Sequence, residues 1–193
     1  MTTQLKTMHT LDELLRMNYR QLFDLFSKAH PIAAGALDNS QYLGIDLSLP
    51  PWMNKLLWKT FGKTFYRDPE TGVLRGWNIR MQQTGWDGPG RPMENNGRPV
   101  TFGHYHFLPA QGKKFPKGWQ GPHYLDYSVA GNAPFDPARF TYSPLVAVNA
   151  GSVELLLGWE VFKVGPAVFS IPDFWALKRE GPLQHIVPAP RRG

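Results

Sequence analysis

His104-Tyr105-His106 is the place in this chain where residues able to bind a metal or move a proton stand closest together. Residues two apart in a strand share a face, so the two imidazoles could meet one ion, with His123 or Asp126 as a third ligand. No acidic residue follows at the distance a cupin-type centre needs, so the sequence predicts no metal. A proton-transfer or hydrogen-bonding role for one imidazole is the expectation instead. Tyr105 and Glu154 complete the candidate catalytic set of His104, His106, Tyr105 and Glu154. Among the carboxylates, Asp38, Asp46, Asp126, Glu154 and Glu160 are those placed on walls or rims. Other chemistries lack their signatures: there is no Cys, Ser152 and Ser170 have no nucleophile-elbow context, and no Gly-rich stretch follows the phosphate-loop pattern.

These residues need walls, and the composition says of what kind. In 193 residues there are 18 Pro and 19 Gly, which cut the chain into short pieces, and 7 Trp, 7 Tyr and 12 Phe, which fill them. Short aromatic segments between breakers suit a β-barrel or sandwich rather than a helical bundle. Strands are predicted at Gln41 to Leu47, Lys63 to Arg67, Val73 to Gln82, Pro99 to Leu108, His123 to Ser128, Leu145 to Val148, Ser152 to Phe162 and Asp173 to Arg179. Asp68 to Gly72 reads as a tight turn, Gly85 to Gly97 as loop, and Glu180-Gly181-Pro182 as a turn. In Ser152 to Phe162 one face is Val153, Leu155, Leu157, Trp159 and Val161, and the other carries Glu154, Leu156, Gly158, Glu160 and Phe162.

Two helices are predicted. Thr10 to Ala29 opens on a capping-box pattern, Thr10 with Glu13, and carries an apolar stripe for packing on the barrel. Pro51 to Phe61, stopped at Gly62, carries Met53, Leu56, Leu57 and Phe61 on one face, beside a ridge of Lys55, Lys59 and Lys63. Its expected place is across one mouth of the barrel. The Pro/Arg tail, 188–193, is expected to fray.

Leu37-Asp38, Tyr42-Leu43-Gly44 and Trp58 with Phe61-Gly62-Lys63-Thr64-Phe65 resemble the bacterial domain of unknown function named for a Gly-x-Trp-x-Gly motif. Phe174-Trp175-Ala176-Leu177-Lys178-Arg179 is similar to the ending of the uncharacterised module that often follows it. Tyr42 stands where the motif has Trp. The resemblance implies a lipocalin-like barrel and carries no activity or catalytic residues.

The expectation is therefore one mainly β domain over 1–193, an antiparallel lipocalin- or calycin-like barrel with an N-terminal helix and a helix covering one end. Tyr42, Trp77, Phe102, Tyr124, Trp159 and Phe174 would line a cavity for a small hydrophobic or aromatic molecule, with Tyr105, Tyr127, Phe162 and Trp175 also on the walls. One alternative is a cofactor-independent cyclase or isomerase in the same cavity, and another is a membrane-surface protein docking on anionic lipid through Trp52, Trp58 and the lysine ridge. The net charge of +6 is scattered, with no basic block, so nucleic acid is not expected. No cofactor is implied. The N-terminus lacks a signal-peptide core and no apolar run reaches a membrane span, which makes the cytoplasm the expected compartment.

Overall fold

A computed structural model describes residues 8–48, 59–85 and 90–190. In chain order its elements are α1 (Leu11–Arg16), α2 (Tyr19–Lys28), β1 (Ser40–Asp46), β2 (Thr60–Arg67), β3 (Leu74–Arg80), β4 (Glu94–Asn95), β5 (Arg98–Pro99), β6 (Thr101–Pro109), β7 (His123–Asp126), β8 (Tyr142–Ala147), β9 (Leu155–Val164) and β10 (Ala167–Pro182). Eight of the strands close a lipocalin-like barrel in the order β1-β10-β9-β8-β7-β6-β3-β2. Every pairing is antiparallel, and apart from the β1–β10 closure each neighbour is the next barrel strand along the chain. Closure removes every free edge.

Alternation along the strands sorts the side chains into an inner and an outer layer. One buried cluster, with Tyr42, Phe65, Leu74, Tyr105, Leu125, Leu145, Leu156 and Leu177, draws on all eight barrel strands and is therefore the interior. Ile32 and Leu37, from the segment before β1, join it. Three inward glycines make the space for its larger rings. A Cβ on Gly44 would lie 2.3 Å from the Phe61 ring, one on Gly158 2.2 Å from the Trp175 ring, and one on Gly76 1.9 Å from the Thr64 carbonyl oxygen.

A second cluster lies outside the barrel under the helices. Phe26 of α2 sits 5.1 Å from Trp119 and 5.6 Å from Phe174, ring centre to ring centre, and Phe23 meets Trp159 edge-on at 5.3 Å. A third, also outside, packs Trp77, Ile79, Leu43 and Ile45 against Leu11, Leu15, Leu183 and Val187. Two clusters thus pack on different sides of the barrel's outer surface, and the interior cluster alone surrounds its axis.

Several expectations need correction. The N-terminal helix is two helices: Asn18 accepts from the Gln21 backbone N–H while Gln21 reaches back, so a second capping box restarts the chain after Met17. Residues 51–58 of the expected covering helix lie outside the described residues. Its end does not, and Thr60 and Phe61 are strand, with Gly62 inside β2 rather than capping a helix. The loop before β6 holds the β4–β5 hairpin, turned by Asn96 and Gly97 at positive φ (51° and 71°), an Asn-Gly signal for a tight hairpin. Glu180-Gly181-Pro182 continues β10, with a register shift opposite Gln41 and Tyr42 absorbing Glu180. The tail is held at least to 190. Arg75 donates to the Val187 carbonyl at 2.9 Å, and Pro190 lies against Gly131.

Gly76→Ala would press its new methyl into the Thr64 carbonyl that also accepts from the Tyr105 hydroxyl. Urea denaturation should show a loss of about 1–3 kcal/mol or more, the range for overpacked cores.

Candidate functional site

Below Phe61 the interior is closed by its own side chains, but at the rim where β1 ends and β2 begins it is not. A hollow of about 190 Å³ opens there. Its polar lining among the described residues is Asp46, Lys63, Asn78, Tyr127, Thr141, Glu160 and Asp173; Phe61, Phe102 and Trp175 supply the flat apolar walls. Period-two alternation on β2 explains the first of these. Phe61, Lys63 and Phe65 share the inward face, which carries Lys63 inside between two rings.

Lys63 is 1 % exposed. Its amine donates to Asn78 Oδ1 at 2.7 Å and to the Tyr127 hydroxyl at 2.8 Å. It lies 4.5 Å from the centre of the Tyr105 ring and 4.8 Å from that of Trp175. Burial pulls its pKa down to about 7, against the opposing pull of Glu160. Glu160 is pushed upward by the same desolvation, although Trp175 Nε1 (3.1 Å) and the Ser143 hydroxyl (3.2 Å) both donate to its Oε2. The amine and the carboxyl face the same hollow without touching as an ion pair.

Asp173 and Asp46 form the rim. Burial first, and then a hydrogen bond from its carboxyl to Asp46, raise Asp173 to about 9, with Lys59 pulling the other way. Lys59 Nζ is 3.7 Å from Asp46 Oδ2, which puts a cation at the edge of the same rim.

The residues singled out from sequence are distributed differently. His104 and His106 lie on the outer side of β6, and Tyr105 between them points inward. The His104 backbone is held by Asn132 on both its N–H and its C=O, and its ring lies 6.1 Å from Trp77. Burial, then Arg75, pulls its pKa down to about 4. Tyr105 forms part of the wall behind Lys63. Glu154 is exposed at the start of β9, paired with Arg179 at 3.4 Å. Six residues along the chain from Glu160, it stands roughly 20 Å away from the hollow.

Of the six proposed lining aromatics, Phe102 lines the hollow. Tyr42 faces inward but is packed edge-on against Phe65 at 5.6 Å in the filled part, where burial pushes its phenol up to about 12. Trp77, Tyr124, Trp159 and Phe174 belong to the outer layers, covered by helix, loop and tail. Tyr127 and Trp175, also placed on the walls from sequence, do reach the hollow, as do Asp46 and Glu160 from the wall carboxylates.

No protein-family model, curated protein or solved structure matches the chain.

A larger concavity of about 550 Å³ lies between α2 and the β8–β9 turn, but it is a surface groove whose Asp24 and Lys28 are exposed. Groups left in water keep ordinary chemistry, so the rim hollow is the candidate site. Among the described residues no group of three His, Asp or Glu is arranged to hold a metal ion.

Asp173 keeps its proton in the folded protein and loses it near pH 4 when unfolded. Stability from this group is therefore greatest below pH 4 and falls as pH rises toward 9. Asp173→Asn keeps a donor to Asp46 and cannot ionise. Its stability advantage over the wild type should grow with pH between 5 and 8, by up to about 1.4 kcal/mol per unit; paired urea titrations at each pH measure it.

Proposed function

We propose that the barrel binds a small planar molecule, of about the size of a substituted benzene, in the rim hollow. The observation that carries this reading is a fully buried lysine amine set between aromatic faces at the wall of an incompletely filled space. Size supports it. An apolar cavity of about 150 Å³ accepts benzene, whereas drug-sized ligands need at least about 300 Å³. At about 190 Å³ the hollow takes one ring and its substituents and excludes a lipid chain or a large cofactor. Phe102, Phe61 and Trp175 give the ring flat surfaces to stack on. Lys63, Asn78, Tyr127 and Glu160 give a hydroxyl or carbonyl on that ring a donor or an acceptor.

A second reading, proton transfer on a bound molecule as in an isomerase or cyclase, is favoured by one observation. The hollow holds an amine with a lowered pKa and carboxyls with raised ones, which brings acid and base toward the same pH range. In this reading Lys63 and Glu160 carry the proton, rather than His104, His106 or Glu154. The membrane-surface reading loses Lys63 from its basic ridge, since that amine is inside the barrel; Trp52, Lys55 and Trp58 lie outside the described residues. No helix among the described residues is long and apolar enough to cross a membrane.

Ala138 lines the hollow from the short helical turn at Pro137–Phe140. Ala138→Met fills the space from the side. In a melting-temperature screen with phenol, p-cresol and indole, the wild type should be stabilised and Ala138→Met should not, while its own melting temperature stays within a few degrees. Equal stabilisation of both proteins would place the ligand elsewhere. For the second reading, solvent deuterium should enter the α-carbon of a bound ketone, and Glu160→Gln should stop that exchange while binding persists.

A further inference from the structure

We propose that Lys63 captures small aromatic aldehydes as a covalent imine within the hollow. This rests on the reading of the hollow as a ligand site and names the class of molecule it would retain.

The geometry of the nitrogen is the starting point. A neutral amine has two N–H bonds and one lone pair. The amine of Lys63 has two acceptors at hydrogen-bond distance, Asn78 Oδ1 and the Tyr127 hydroxyl, and no other hydrogen-bond partner among the described residues. With both N–H bonds directed at these two oxygens, the lone pair is left to meet a carbonyl carbon. A nucleophilic lysine requires this state: uncharged, desolvated and held by its hydrogens rather than by its electron pair. Burial favours the neutral form, in line with the downward pull on this amine.

The second component is an acid able to give and take protons beside the reacting carbon. Glu160 lines the same hollow, and desolvation favours its protonated form. In the first step the Lys63 nitrogen forms a bond to the carbonyl carbon and the C=O π pair moves to oxygen. Glu160 gives that oxygen its proton and takes one from the nitrogen, leaving a neutral carbinolamine. In the second step Glu160 protonates the hydroxyl, the C–O bond breaks, water leaves and the nitrogen pair closes the C=N bond. Aldehyde, amine and carboxylic acid become protonated imine, carboxylate and water, with no oxidant or reductant involved.

The third component is what holds the product. The protonated imine carries its charge at the amine position, 4.5 Å and 4.8 Å from the Tyr105 and Trp175 ring centres, where cation–π attraction operates without water competing. The Glu160 carboxylate formed in the same step is its counter-ion. The aldehyde's own ring fits the remaining space against Phe102 and Phe61. Exposed lysines have neither the neutral amine nor these walls.

Benzaldehyde with sodium cyanoborohydride, followed by peptide mapping, tests this on the whole protein. Benzyl alcohol, the same size but unable to form an imine, serves as the binding control in a melting-temperature assay. The expected result is a benzyl group at Lys63 acquired at least about tenfold faster than at any exposed lysine, with the α-amino group mapped separately. Lys63→Met should lose that label, but the wild-type map alone decides the question if the variant does not fold. Stabilisation by benzyl alcohol, with Lys63 labelled no faster than exposed lysines, would overturn imine capture and leave the ligand site standing. Stabilisation by neither compound, with no preference for Lys63, would overturn both.

Discussion

A lysine nitrogen withdrawn from water into a β-barrel is the constraint to which this structure answers. An isolated buried ammonium is so unfavourable that the group gives up its proton instead. The surroundings of Lys63 soften that cost with two hydrogen-bond acceptors, two aromatic faces and a carboxyl across the hollow rather than a direct counter-ion. A contacting carboxylate would have fixed the charge and silenced the amine. With no direct contact between amine and carboxyl, desolvation pushes both toward their neutral forms.

Placing such a group demands rigid walls, and the packed clusters inside and outside the barrel supply them. The outer layers, with Trp159, Phe174 and Tyr124 under helix and loop and Trp77 under the tail, brace the strands from outside. The inner layer closes the lower barrel around Tyr42, Phe65 and Leu177. Gly44 and Gly158 give Phe61 and Trp175 their seats, so two walls of the hollow depend on residues that have no side chain. Among the described residues, the hollow inside the barrel lies at one rim.

The barrel was legible from sequence because alternation and breaker spacing are local signals. Seven of the eight expected strand segments lie within about three residues of the observed ones, whereas β10 starts well before Asp173. From Leu155 onward the two faces of β9 separate as expected, while Val153 packs on the interior instead. The identity of the site residues was not legible to the same degree. Alternation separates two faces of a strand but does not say which of them turns inward when both are apolar, and here the outer face is covered by helices. Trp159 and Phe174 therefore looked as much like cavity walls as Trp175 did. Lys63 was concealed by a competing period. Its spacing of four from Lys55 and Lys59 suggested a helical ridge, whereas the Phe61-x-Lys63-x-Phe65 alternation, equally present, places it on the inward face of a strand. The two glycine seats and the closeness of Asp46 to Asp173 depend on contacts between distant segments, and no local pattern announces them.

The most direct measurement is a ¹³C NMR titration of the lysine ε-carbons in the folded protein. One resonance, assigned to Lys63 through its loss in Lys63→Met, should shift with a midpoint close to 7. If every lysine titrates above about pH 9, the amine is solvated or paired, and the rim hollow holds no neutral nucleophile around which to build a site.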